Sequence, residues 1–227
     1  MFSIKKHIPN FITSLNLLCG CLAIIETMNN NLQGASYLVG AALVFDYMDG
    51  MLARLLKVHS EIGKQLDSLA DVVTFGVVPG MLLFKFLEQC LFPFPHIAFL
   101  IPLFSALRLA KFNVDVRQTT SFIGVPTPAN TILIASFPLI LKSENFLNPF
   151  ILNPYFLVGI TLMMSYLLIA EIPLFSLKFK NMAWQDNKIQ YVFLFISSLL
   201  ILLIHFVGIP FIIFLYIVLS LINNSVK

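Results

Sequence analysis

The sequence predicts an all-α, polytopic bundle of membrane helices, and three observations carry that expectation. Of 227 residues, 59% are hydrophobic and only 11% are charged, with a mean hydropathy of +0.91; a soluble domain is about a quarter charged. The apolar residues fall in runs close to the roughly 20 residues that cross a bilayer as a helix. Lys and Arg gather at alternate ends of those runs, as the positive-inside rule requires. The same composition excludes disorder, because 23 Phe residues supply abundant apolar surface. A scattered net charge of +3 excludes a nucleic-acid-binding surface. No repeat or composition shift marks a second domain, so residues 1–227 read as one.

Eight spans are expected, at about 10–28, 35–56, 64–88, 95–112, 126–142, 153–176, 189–206 and 209–224. The first follows Lys5 and Lys6 and encloses Thr13 and Asn16. With those polar residues inside it and no small-residue cleavage site, it reads as a membrane helix rather than a cleaved leader. Short polar connections at 29–33, 58–60, 114–120, 143–148 and 179–187 separate the spans. Pro126 and Pro128 suit the start of the fifth span, since proline is favoured in a first helical turn. A break near Gly208 and Pro210 divides the last two.

With the N-terminus in the cytoplasm, that side receives Lys5, Lys6, Arg54, Lys57, Lys64, Arg108, Lys111, Arg117, Lys178, Lys180, Lys188 and Lys227, twelve of the fourteen basic residues. Both termini are therefore expected to be cytoplasmic. Span two then ends in the cytoplasm and span three begins there. Cys19, Cys21 and Cys90 form no metal-binding spacing and read as packing residues. His7, His59, His96 and His205 are not spaced as ligands, although His59 sits in the turn beside the acidic cluster described next.

Four of the eleven acids, Asp46, Asp49, Asp67 and Asp71, fall within 26 residues, at the end of span two and the start of span three. A charged side chain at the centre of a membrane costs at least about 2.5 kcal/mol. Four of like sign need protons or cations between them. At about 100° per residue, Asp46, Asp49, Gly50, Ala53 and Arg54 share an arc of roughly 140°. Gly63, Asp67 and Asp71 are spaced four apart on one face of the next helix. The short connection makes the two helices an antiparallel hairpin whose acidic faces can oppose each other. Carboxylates without Cys or paired His suit a hard cation, Mg²⁺ or Mn²⁺, and four of them can share two ions. Two-metal sites commonly serve phosphoryl transfer. Gly50, Ala53 and Gly63 clear space beside the acids, and Arg54 offers a phosphate ligand. The same small residues would also suit plain close packing of helices.

Asp46-x-x-Asp49-Gly50-x-x-Ala53-Arg54, followed after eight residues by Gly63-x-x-x-Asp67-x-x-x-Asp71, resembles the complete signature of the CDP-alcohol phosphatidyltransferase family. The resemblance implies an integral membrane enzyme that displaces CMP from a CDP-linked lipid with an alcohol. By that likeness Asp46, Asp49 and Asp67 hold one divalent ion, while Asp46, Asp67 and Asp71 share a second. Asp71 matches the general base, and Gly50, Ala53, Arg54 and Gly63 shape the CDP site. Residues 9–20 (PNFITSLNLLCG), 108–113 (RLAKFN) and 122–129 (FIGVPTPA) resemble the serine-accepting bacterial and archaeal branch. Relatives that make phosphatidylglycerol phosphate tend to carry Arg where Asn16 stands. That likeness implies CDP-diacylglycerol and L-serine as substrates, a multi-pass protein of the cell membrane, an active site facing the cytoplasm, and a homodimer. Arg108, Lys111 and Asn113 then become the acceptor-binding residues. The chain departs from the branch at Lys111, where Arg is usual; Lys keeps the charge and loses the two-pronged hydrogen-bonding geometry.

Two alternatives stand beside this reading. Another acceptor, glycerol 3-phosphate or an inositol compound, would use the same chemistry, but a phosphorylated acceptor calls for a denser basic pocket. A cation-coupled transporter would spread its acids through the membrane depth, whereas these four lie toward one end. Glu171, an acid before Pro173 in the sixth span, is compatible with either a helix-end contact or a place in the active site.

Overall fold

A computed structural model describes residues 7–58, 60–115, 122–143, 145–175, 184–185 and 187–225. His59 lies outside the described residues. So do Lys5, Lys6, Arg117, Lys178, Lys180 and Lys227, on which part of the charge asymmetry rests.

The described chain is a helical bundle. Its helices are α1 (His7–Met28), α2 (Leu32–Leu55), α3 (Glu61–Asp71), α4 (Val78–Gln89), α5 (Leu100–Val114), α6 (Thr127–Ile140), α7 (Asn148–Ile151), α8 (Pro154–Ile169), α9 (Lys188–Ile204) and α10 (Gly208–Ser225). A π-helical turn, Val72–Val77, joins α3 to α4, so that Glu61–Gln89 runs as one rod of 29 residues. Turns of 3-10 helix lead into α5 at Pro95–Phe99 and into α10 at His205–Val207.

The distribution of side chains is that of a membrane protein. On α1 the buried positions are Pro9, Thr13, Asn16, Gly20, Ala23 and Thr27, a small and polar stripe at helical spacing. Ile8, Phe11, Leu18, Leu22 and Ile25 point outward. In water that arrangement would be unfavourable; in lipid, small residues let helices approach while apolar side chains face the acyl chains. Four described segments are long and apolar enough to cross a membrane: His7–Met28, Glu61–Gln89, Pro95–Val114 and Lys188–Asn223. Within the last, His205 adopts a φ of 49° and Gly208 packs against the Leu200 backbone, so α9 and α10 fold back on each other. The apolar α6 and α8 are shorter, at 14 and 16 residues.

Tight helix contacts concentrate around the rod. Thr131 Oγ1 donates to the Phe75 carbonyl at 2.7 Å, taking up backbone capacity in the π turn. Behind it lies an apolar core built from Val78, Leu82, Leu83 and Phe86 of α4 with Ile101 of α5 and Leu133, Ile134 and Phe137 of α6. Lys85, one of two basic residues expected away from the cytoplasmic side, is paired with Glu88 at 2.8 Å.

One expectation is corrected. The sixth span does not continue to residue 176. Its helix ends at Ile169, Ala170 turns extended, and Pro173–Leu174 pair antiparallel with Phe122–Ile123. We call these two-residue strands β1 (Phe122–Ile123) and β2 (Pro173–Leu174). Pro173 has no N–H and restricts the residue before it, which stops the helix. Gly124 completes the bend with φ +74°, where a Cβ would also stand 2.7 Å from the Leu168 carbonyl oxygen. Both the left-handed backbone and the lack of space call for glycine.

Candidate active site

The acidic cluster is built by the hairpin of α2 and α3 against α1. Leu56 ends α2, Lys57 turns the chain with φ 52°, and Ser60 caps α3 by accepting from the Gly63 N–H at 3.2 Å. The cap fixes where α3 begins, and hence which face carries Asp67 and Asp71. Asp46, Asp49 and Asp67 each present a carboxylate oxygen within 4.8 Å of the other two. Opposite ligands of a magnesium ion stand about 4.2 Å apart, so this all-oxygen set fits a hard divalent cation with little adjustment. Asp71, one turn beyond Asp67, is buried, and its carboxyl lies within electrostatic range of Asp46.

Two polar residues of α1 hold the acids from behind. Thr13, buried, donates from Oγ1 to Asp49 Oδ2 at 2.6 Å and lies 3.1 Å from the Pro9 carbonyl. Asn16 is fully buried and donates from Nδ2 to Asp71 Oδ1 at 3.3 Å. Its own Oδ1 meets no partner among the described residues. Thr74, in the π turn, donates to the Asn16 carbonyl at 3.2 Å. The acids are therefore packed against three helices rather than hung from one.

Against Asp49 and Asp67 opens a cleft of about 240 Å³ at the shared end of α1, α2 and α3. Gly50, Ala53 and Gly63 line it, as do Asn10, Thr13 and Lys64. Gly50 is informative: a Cβ there would meet no atom within 4 Å. It is thus not a helix-packing glycine, unlike Gly20 and Gly80, which abut Thr74 and Pro102. Arg54 is exposed in the last turn of α2.

A second, narrower cleft of about 30 Å³ lies between α5 and the end of α8. Arg108, Lys111, Asp115 and Glu171 supply its charges, with Ile123 and Leu168 beside them. Arg108 is 7% exposed and donates from Nη2 to the Gly124 carbonyl at 3.5 Å. Its Nε has no partner among the described residues, and the guanidinium lies within electrostatic range of Asp71. The cleft thus brings charges of both signs to one place, as a zwitterion requires. Asn113 is placed elsewhere. Its Nδ2 donates to Ser68 Oγ at 2.8 Å and its carbonyl accepts from Lys64 Nζ at 3.2 Å, tying α5 to α3.

Asn10 and Lys64 are wall residues that the sequence reading left unassigned. Their signal was present for Asn10: with Thr13 and Asn16 it forms a polar line at three-residue spacing through an apolar helix. Lys64 carried no such signal beyond its place between Gly63 and Asp67.

Comparison with known proteins agrees with this geometry. The model of the CDP-alcohol phosphatidyltransferase family matches residues 6–170. The chain is 36% identical over 171 residues to the CDP-diacylglycerol--serine O-phosphatidyltransferase of Bacillus subtilis (strain 168), covering 74% of this chain and 89% of that protein. It is 30% identical over 195 residues to the enzyme of the same name from Helicobacter pylori (strain J99), covering 83% and 79%. The Methanocaldococcus jannaschii enzyme of that name is 38% identical over 145 residues, covering 63% and 67%. With the signature acids gathered on one hairpin and the family match spanning α1 to α8, the chain belongs to the CDP-alcohol phosphatidyltransferase family.

Proposed function

We propose that this protein transfers the phosphatidyl group of CDP-diacylglycerol to L-serine, forming phosphatidylserine and releasing CMP. The observation that carries the reading is the convergence of Asp46, Asp49 and Asp67, two of which, Asp49 and Asp67, line an open cleft, with Asp71 buried one turn beyond Asp67. The three names of the similar enzymes support serine as acceptor.

In this reading Asp46, Asp49 and Asp67 would hold one Mg²⁺ or Mn²⁺, and Asp46, Asp67 and Asp71 would hold another. Bound there, such ions would supply charge neutralisation for the diphosphate and for the departing CMP phosphate. Gly50, Ala53 and Gly63 leave room for the CDP moiety, and Arg54, exposed one turn beyond Gly50, binds phosphate. Arg108 and Lys111 take the serine carboxylate, and Glu171 faces its ammonium. Asp71 takes the proton from the serine hydroxyl as that oxygen bonds to the lipid-linked phosphorus and the bond to CMP breaks. Asn113 contributes by tethering α5 to α3, so that both clefts keep their spacing.

The charge asymmetry supports eight spans with both termini and the cleft on the cytoplasmic side of the cell membrane; helices as short as α6 and α8 would then sit in locally thinned bilayer or tilt their neighbours. A homodimer is the expected assembly.

The test is CMP release from CDP-diacylglycerol by the purified protein in detergent. Serine, glycerol 3-phosphate, an inositol phosphate and no acceptor are compared, with and without divalent metal. Release that needs both serine and metal supports the proposal. Release with another acceptor would replace serine and keep the roles of the acids, and no release from folded protein would overturn the whole reading.

A further inference from the structure

The hairpin of α9 and α10 lies beyond the residues that the family model matches. It is nevertheless joined to the wall of the second cleft. Tyr216, in the middle of α10, is 7% exposed, and its Oη donates to the Phe175 carbonyl at 2.9 Å. Ser220, one turn on, is fully buried and accepts from the Phe175 N–H at 3.4 Å while donating to the Tyr216 carbonyl at 2.7 Å. Both backbone polar groups of Phe175 are thus held by α10. The Phe175 ring meets the Tyr216 ring edge-on at 4.9 Å and the Phe193 ring of α9 at 5.8 Å.

Phe175 directly follows β2. A ladder of two residues on each strand has little stability of its own, so its position depends on what anchors it. β2 sets β1 through the pairs Phe122 with Leu174 and Ile123 with Pro173, and the Gly124 N–H donates to the Ile172 carbonyl at 2.9 Å. Gly124 in turn receives Arg108. A continuous path therefore runs from the Tyr216 hydroxyl through Phe175, β2, β1 and Gly124 to the guanidinium. The phenol also lies within electrostatic range of Arg108.

We infer that Tyr216 is a positioning residue for the acceptor: through the Phe175 strap it fixes Arg108 in the second cleft, which makes the C-terminal hairpin part of the acceptor-binding apparatus. The inference rests on the proposal that Arg108 binds the acceptor carboxylate. A cation held in place before the ligand arrives loses less freedom on binding.

Tyr216→Phe tests it, because the ring contacts remain and only the donor to Phe175 is lost. In full-length protein, the KM for serine rises about fivefold, the scale of one neutral hydrogen bond. The KM for CDP-diacylglycerol and the metal-activation curve stay at wild-type values. Ser220→Ala releases the other polar group of Phe175 and shifts the serine KM in the same direction, so it carries the test if Tyr216→Phe does not fold. An unchanged serine KM in the folded variant, or a parallel rise in both KM values, would overturn the inference in favour of a purely structural tyrosine. Failure of the underlying proposal is distinguishable, since Arg108→Lys would then leave the serine KM at its wild-type value, and the inference would fall with it.

Discussion

Asn16 and Asp71, 55 residues apart in sequence, meet where α1 crosses the end of α3, the Asn16 amide donating to Asp71 Oδ1 at 3.3 Å. The bond engages one carboxylate oxygen of Asp71 and fixes that side chain against α1. It also links the residue proposed as general base to a fully buried polar side chain of α1. Asp71→Asn is expected to lower kcat by about 10²–10⁴-fold, the usual contribution of a positioned base. Asn16→Ala keeps the base and loses its orientation, so a smaller loss, about tenfold, is expected. Steady-state CMP release with both variants checks the order. Full turnover in folded Asp71→Asn protein would remove the general-base assignment.

Thr13 stands to Asp49 as Asn16 stands to Asp71. At 2.6 Å its hydroxyl directs Oδ2, leaving the carboxylate to join the other two acids of the triad. Removing a residue that orients a metal ligand typically weakens metal affinity by about 10–100-fold. Thr13→Val should therefore raise the Mg²⁺ concentration for half-maximal activity by about tenfold, and Thr13→Ser should restore it. Chelation should abolish turnover in every variant, with recovery on adding Mg²⁺ or Mn²⁺. A Thr13→Val protein with a normal metal curve and a low kcat would show that the threonine acts in some other way.

Gly50 offers a test in which stability and activity move in opposite directions. It lies inside α2, where Gly is less favourable than Ala by roughly 0.5–1 kcal/mol, and a Cβ would meet nothing within 4 Å. Gly50→Ala should leave the melting temperature unchanged or slightly higher. Because the added methyl enters the cleft, the KM for CDP-diacylglycerol should rise by about tenfold. Thermal unfolding and kinetics on one preparation decide it. A drop in melting temperature would instead make Gly50 a packing residue.

The helical membrane architecture and the gathering of Asp46, Asp49 and Asp67 were legible in the sequence, because long apolar runs mark the helices and regular spacing places the acids. Four-residue intervals put Gly63, Asp67 and Asp71 on one face of α3, and the short connection forced that face toward α2. What was not legible came from long-range closure. No periodicity announces that residues 170–175 leave the helix to pair with Phe122–Ile123, because a two-residue ladder is too short to pattern. Asn113 illustrates the same limit. It sits two residues beyond Lys111 in a stretch that reads as one unit, yet helical rotation turns it toward Ser68 and away from Arg108. Glu171, compatible with two readings in the sequence, lines the cleft of Arg108 and Lys111 only because the ladder bends the chain back.

That placement of Glu171 gives the last prediction. The second cleft carries Arg108 and Lys111 beside Glu171 and Asp115, a pattern that separates the two charges of an amino acid. Arg108→Lys keeps the positive charge and loses the paired donors that match a carboxylate. The serine KM should rise by about tenfold or more, with the KM for CDP-diacylglycerol unaffected. Glu171 is exposed at the rim, where an ion pair is worth about 1 kcal/mol or less, so Glu171→Gln should raise the serine KM by only about threefold. The more discriminating measurement pairs serine with glycerate, which has the carboxylate and the primary hydroxyl but no ammonium. Wild-type protein should prefer serine, and Glu171→Gln should narrow that preference while leaving glycerate kinetics unchanged. Asp115 remains in the variant, so some preference should persist. If the substitution slows both acceptors equally, Glu171 supports the end of α8 and does not read the ammonium.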